Sequence, residues 1–181
     1  MKLVTALRRG NAVKRYHTEQ ILVGETVGHH CANVAAILFE LYSPILPSVT
    51  LLAHCLSHDV AEQYTGDLPA PVKKDNEGLR NEMTHAEGQW EMENFPMTIQ
   101  LGNGEFIIFA FADIMDVVYK ARDEILMGNT LALPMYIRAE TYAVERLAQL
   151  PDGFHAKAQD MLAEAQGQVL ECISFKPRGV L

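Results

Sequence analysis

Two adjacent residues, His58 and Asp59, stand among the apolar positions Leu51, Leu52, Cys55, Leu56 and Val60. A carboxylate withdrawn from water in such a setting is costly unless an opposite charge or a metal ion meets it. Neighbouring residues of a helix point ~100° apart, so an imidazole and a carboxylate in sequence can approach one cation from adjacent sides. Any further ligands must come from other helices. Asp113 poses the same problem, because Phe109, Phe111, Ile114 and Met115 surround it in the chain.

The elements that would carry these residues read as helices. Leu3, Val4 and Leu7 have helical spacing before a stop at Gly10-Asn11. Val27, Cys31, Val34, Ala35, Leu38 and Leu41 recur every three or four residues, which predicts an amphipathic helix over 26–41, with Pro44 just beyond. A second helix is expected from the N-cap Ser48 through the doublet to about Tyr64, broken by Thr65-Gly66-Asp67. The stretch 66–71 carries Pro69 and Pro71 and reads as an ordered loop. Residues 76–94 are strongly charged and read as a partly solvated helix.

Residues 97–108 fit either a hairpin at Gly102-Asn103-Gly104 or a helix capped by Asn103 and entering at Glu105; the helix is the preferred reading, running past Asp113 to a stop at Gly128-Asn129. Helices over about 131–149 and 154–173 follow, with Pro151-Asp152-Gly153 as the turn. The class is all-α, and 181 residues with 49% hydrophobic content fit a single domain, 1–181.

Bulk charge narrows the function. Fifteen basic against 23 acidic residues leave a net charge of -8, which disfavours a protein that coats a nucleic-acid polymer. An anionic ligand must then be met by local positive charge or by a metal. No apolar segment approaches the ~20 residues that span a bilayer, and no leader pattern opens the chain, so a cytoplasmic protein without membrane contact is expected. Cys31, Cys55 and Cys172 show no CxxC spacing and read as buried thiols.

Longer words surround the doublet: Arg15-Tyr16, Glu25-Thr26-Val27-Gly28-His29-His30, His58-Asp59-Val60-Ala61-Glu62, and Thr65-Gly66-Asp67-Leu68-Pro69-Ala70-Pro71-Val72-Lys73. In that combination, over roughly residues 8–130, the chain resembles the HD-domain phosphohydrolases. Within them it is similar to the bacterial 5'-deoxynucleotidases of the YfbR type and the phage dATP triphosphohydrolases of the DatZ type. The resemblance implies an HD-domain helical bundle, suited to phage nucleotide-pool control or bacterial salvage, with a small-molecule deoxynucleotide as substrate.

By that resemblance His30, His58, Asp59 and Asp113 hold a divalent metal; His30 alone would read as a core histidine. The mixed nitrogen and oxygen set suits Zn, Co, Mn or Fe better than Mg, with additional Mg or Mn if the substrate is a triphosphate. Such an ion lowers the pKa of a bound water and offsets charge on the phosphoryl oxygens. Glu62, four residues after His58, is implied to be catalytic beside Asp59, positioning or deprotonating the attacking water. Arg15 and Lys73 are implied to contact phosphate, with Lys120 a weaker candidate two turns beyond Asp113. Asp67 would accept a hydrogen bond from the deoxyribose 3'-hydroxyl, and Tyr16, Thr18 and Pro71 would line the base pocket.

Two positions depart from the pattern: Tyr16 stands where the bacterial enzymes have tryptophan, and His29 where an acidic residue is usual. Adenine is the favoured base, as dATP or dAMP, and homo-oligomers are expected, with Met161, Leu162, Val169 and Ile173 as either interface or core. Competing readings are an HD hydrolase of a cyclic dinucleotide or alarmone, against which the Thr65-Gly66-Asp67-Leu68-Pro69 loop argues, and a non-catalytic nucleotide sensor, which would have lost a ligand or Glu62.

Overall fold

The computed structural model describes residues 2–95 and 99–174. Helices dominate, in two compact units. The first comprises residues up to Gln20, Gly24–Ala35 and Pro47–Leu101; the second comprises Ile21–Val23, Ala36–Leu46 and the chain from Gly102.

In the first unit, α1 (Leu3–Gly10) leads into a two-residue antiparallel pair, β1 (Lys14–Arg15) and β2 (Glu25–Thr26), in which Arg15 faces Glu25. This pair is absent from the expectations above, since strands of two residues leave no periodicity to read. Helix α2 (Val27–Tyr42) follows, its 27–35 portion lying in this unit. Buried Val27, His30, Cys31 and Val34 make one stripe at helical spacing, so the same periodicity that forms the helix turns His30 inward.

Ser48 caps α3 (Val49–Cys55) as expected, its side chain accepting the Leu51 N–H at 3.0 Å. The helix does not run on to Tyr64. It ends at Cys55, and His58 and Asp59 lie in turns ahead of the short α4 (Glu62–Thr65). Local side chains explain the break: Ser57 Oγ donates to the Ala53 carbonyl at 2.8 Å, and His58 Nδ1 meets the Cys55 carbonyl at 3.0 Å. These oxygens would otherwise serve the helical ladder. The backbone tightens instead into three-residue steps, Ser57 N–H to His54 and Val60 N–H to Ser57.

The proline-bearing loop is also shorter than expected. Helix α5 (Ala70–Asp75) begins at once after Pro69, with Pro71 in its first turn, where a missing N–H costs nothing. Asn76 then caps α6 (Glu77–Asn94) by accepting the Leu79 N–H at 3.0 Å. No residue of α6 is buried, consistent with the solvated helix its charge predicts. It packs on α4 and α5, and Thr65 Oγ1 donates to Glu87 at 2.9 Å.

The second unit is built on α7 (Asn103–Leu126), which packs on α8 (Leu133–Leu147) and α9 (Asp152–Ser174), with a 3-10 turn at Thr130–Ala132. The helix reading of 97–108 holds from Asn103 onward; Met97 and Thr98 lie outside the described residues. Gly102 rather than Asn103 is the cap, and its N–H donates to Glu105 at 3.4 Å. Phe111, Met115, Val118 and Ile125 make the buried face of α7. Of the four apolar positions open to either role, Met161, Leu162 and Val169 close this core, whereas Ile173 is exposed. Lys157 of α9 donates to the carbonyls of Glu40 and Ser43, satisfying the C-terminal end of α2. No helix among the described residues is long and apolar enough to cross a membrane.

The turn bearing the doublet is held from behind by α1. Gln63 Nε2 donates to the Ala6 carbonyl at 2.9 Å, and Gly10 comes so close that an added Cβ would lie 3.0 Å from Val60 Cα and 3.1 Å from its oxygen. Alanine at position 10 gains ~1 kcal/mol of helix propensity, but overpacking against immovable backbone costs ~1–3 kcal/mol. Gly10→Ala should therefore lower the thermal midpoint. Gly167→Ala, mid-helix in α9 with open space around it, should raise stability by ~0.5–1 kcal/mol. Thermal unfolding of the two variants, with opposite signs, checks this pair.

Candidate active site

Four of the expected residues converge within the first unit. Asp59 Oδ2 lies 3.2 Å from His58 Nε2, 3.9 Å from His30 Nε2 and 3.6 Å from Arg15 Nη1. The two imidazoles meet edge to face, with centroids 5.3 Å apart. A carbonyl only accepts, so the contact from His58 Nδ1 to Cys55 O places a proton on Nδ1 and leaves Nε2, which faces Asp59, as the ring atom available to a metal. This is the second interaction a metal-binding histidine usually makes.

The donor set fits a divalent ion. Two ligand atoms each ~2.1 Å from a tetrahedral centre are ~3.4 Å apart, and the distances from Asp59 Oδ2 to the two Nε2 atoms bracket that value. Histidine nitrogen with carboxylate oxygen is the chemistry of Zn, Mn, Co or Fe rather than of Mg.

Electrostatics separates the two acids of the site. Burial works against the charge of Asp59, but His58, His30 and Arg15 outweigh it and hold the carboxyl well below the usual range. Glu62, buried three residues later, moves the other way. Burial, then the carboxylates of Asp59 and Asp67, push it up to about 8, with Lys73 and Arg15 offsetting part of the rise. Lys73 Nζ of α5 stands 3.9 Å from Glu62 Oε1, and Glu62 Oε2 is buried without a hydrogen bond among the described residues. A carboxylate ionised for charge thus sits beside one held ready to exchange a proton.

The base-pocket candidates occupy the β1–β2 connection and the 66–71 region. Arg15 also lies over the Tyr16 ring, 5.3 Å from its centroid. Tyr16 adopts a left-handed backbone, φ 58°, unusual for an aromatic residue and costing about 1–3 kcal/mol. Thr18 is exposed, Asp67 is half-buried in the loop after α4, and Pro71 is exposed in the first turn of α5. His29, one residue from the buried His30, is exposed.

Asp113 is half-buried on α7 in the second unit. Lys120, on the same helix, does not have the free ammonium that a phosphate ligand needs. It is buried and donates to the Val23 carbonyl at 2.6 Å and to Glu124 at 2.8 Å, which corrects the expectation from helical spacing.

Two acids escaped the sequence reading. Glu25 is buried and pairs with Arg15, Oε1 to Nε at 3.8 Å; it stood in one of the quoted words, but only the strand register shows what it faces. Glu91 of α6 is pushed up by burial and then by Glu87 and Asp59, so its helix presents a carboxylate toward the doublet; in the sequence it is one acid among many on a charged helix.

Solved structures share this fold. The solved structures most like it include the HD phosphohydrolase DatZ of cyanophage S-2L, bound to dA and one catalytic Zn2+ ion, at TM-score 0.68 and 18% identity, covering 94% of this chain and 98% of that one. A protein of Pyrococcus horikoshii OT3 matches at TM-score 0.70 and 17% identity, over 91% and 97%. An HD-domain phosphohydrolase of Listeria innocua matches at 0.65 and 21%, over 94% and 96%. At these identities the likeness establishes the fold, that of the HD-domain phosphohydrolases. No curated protein matches the chain. A family model described as 5'-deoxynucleotidase YfbR-like matches residues 2–154, and with that span covered the chain belongs to the YfbR-like 5'-deoxynucleotidase family.

Proposed function

We propose that the chain removes phosphate from 2'-deoxynucleotides, with dAMP and dATP favoured, at a divalent metal held by His30, His58, Asp59 and Asp113. Family membership carries the reaction class, a metal-dependent deoxynucleotide phosphohydrolase. The observation that most supports the placement is the meeting of two imidazoles, an aspartate and an arginine around Asp59 Oδ2. Asp113 is assigned as the remaining ligand from its place in the sequence pattern. Zinc is the favoured ion, by analogy with the cyanophage relative.

When bound, the ion supplies Lewis acidity and charge compensation to the phosphoryl group. The side chains do the rest. Arg15, anchored by Glu25, directs its planar fork at phosphoryl oxygens, and Lys73 adds a point charge. Glu62 takes the proton from the attacking water and can return it to the leaving 5'-oxygen. Asp67 accepts the 3'-hydroxyl hydrogen bond, while Tyr16, Thr18 and Pro71 flank the sugar and base. The nucleotide substrate places this work in the cytoplasm of a bacterium or phage-infected host. Exposed Ile137, Val144, Leu170 and Ile173 favour self-association.

Release of phosphate or polyphosphate from dAMP, dATP, AMP and ATP, with Zn, Co or Mn added, tests the reading. Deoxy substrates should turn over well above their ribose counterparts, and chromatography of the products identifies which phosphate bond breaks. Saturable binding without release would leave a sensor instead.

Asp59→Ala should abolish both metal retention, measured by elemental analysis of the purified protein, and turnover. Wild-type activity in that variant would remove the metal site from the mechanism.

Glu62→Gln should keep its metal and lose about 100- to 10,000-fold in kcat, the usual contribution of a positioned acid or base. The same variant has a pH signature in metal-free protein. Folding raises the Glu62 pKa from 4.5 to about 8, so wild-type stability relative to the Gln variant is greatest below 4.5, falls as pH rises through 8, and is constant above it. Thermal midpoints compared at pH 4 and pH 9 after chelation read that difference, and parallel curves would exclude the raised pKa.

A further inference from the structure

The β1–β2 connection, residues 16–24, carries Tyr16 and Thr18, yet its far end buries little. Leu22 is 63% exposed and Val23 is 51% exposed, so apolar packing does not hold this end of the loop in place. Polar contacts to α7 do. Glu124, fully buried, accepts the Leu22 N–H at 2.6 Å and the Val23 N–H at 3.0 Å, while Lys120 donates to the Val23 carbonyl at 2.6 Å.

The carboxylate is itself held by Lys120 at 2.8 Å and by Asn129 Nδ2 at 2.8 Å, so each of its oxygens accepts two hydrogen bonds. Burial opposes its charge, but these donors hold it down to about 2, and it stays ionised throughout the range in which a protein works. A buried ion pair gains little stability over apolar side chains of the same volume. Spending one on an exposed backbone segment calls for a reason other than stability. The loop supplies it: Tyr16 is held in a left-handed conformation that persists only where the surroundings over-determine it.

We propose that Glu124, with Lys120 and Asn129, is a positioning residue for deoxynucleotide binding: it ties down Leu22 and Val23 and so keeps the 16–24 loop in the shape that presents Tyr16 and Thr18 to the substrate. The proposal rests on the deoxynucleotide reading above. Neither Glu124 nor Lys120 touches substrate in it; both act through the loop, and they prepay the ordering that a mobile loop would otherwise lose on binding.

Two variants test it. Glu124→Gln presents an amide N–H₂ where backbone donors already point. The double variant Lys120→Met with Glu124→Gln removes both charges, so neither is left buried and unpaired. Hydrogen exchange of the substrate-free protein should show the Leu22 and Val23 amides exchanging about tenfold faster or more in both variants, with α2 and α3 unchanged. Steady-state kinetics with dAMP or dATP, whichever the wild type hydrolyses, should show KM raised about tenfold, kcat within about twofold and metal content unchanged, because lost pre-organisation weakens binding without touching the reacting groups.

Unchanged exchange at Leu22 and Val23 would overturn the anchoring. Faster exchange with an unchanged KM, or kcat and metal content falling together with affinity, would overturn the positioning role and leave the pair a stabilising element of the fold. A wild-type protein that hydrolyses no deoxynucleotide would sink the functional reading first, before any variant is compared.

Discussion

A carboxylate removed from water must have its charge answered on the spot, and two carboxylates of this protein, Asp59 and Glu124, meet that demand with different partners. Around Asp59 the answer is two imidazoles and a guanidinium, brought from α2, the turn before α4 and β1. Around Glu124 it is an ammonium, an amide and two backbone N–H groups. The first cluster has donors whose spacing suits a cation, whereas the second is saturated by the protein itself. That difference separates a place where chemistry can happen from a place that only holds the chain.

The break in the helix after Cys55 matters to the first cluster. On a continuous helix His58 and Asp59 would diverge by ~100° and could meet only at an ion lying off the helix side. In the observed turns His58 Nε2 and Asp59 Oδ2 approach to 3.2 Å, and Glu62 follows at the buried start of α4. Ser57 and His58, by bonding back to carbonyls, shape the turn. His58, a proposed ligand, thus helps to build the backbone that presents it. The close contact between Gly10 and Val60 backs that turn with main chain, which yields far less than a flexible side chain.

As a member of the YfbR-like 5'-deoxynucleotidase family, the protein has the reaction class its electrostatics suits. Asp59 is kept anionic by positive neighbours, while Glu62, a few residues on, is kept near the neutral form by burial and by acids. After burial, it is the charge kept on Asp59 that most discourages a charge on Glu62. Arg15 and Lys73 bring positive charge to this cluster in a molecule of net charge -8.

Most of the fold was legible in the sequence because long helices with one buried stripe announce themselves by period. The stripes of α2 and α7, the Ser48 cap, the stop at Gly128 and the solvated α6 all follow from local rules. The candidate metal-binding residue types were legible too, since His58-Asp59 in apolar company leaves few alternatives. What the sequence could not carry was direction and partnership. Lys120 had the spacing of a phosphate ligand, yet Glu124 and the Val23 carbonyl claim it. Glu25 lay unremarked until strand pairing set it against Arg15. Periodicity reports which side of a helix is apolar, a property of neighbours along the chain. Which charge a buried side chain meets depends on residues tens of positions away, and only the folded backbone brings those together.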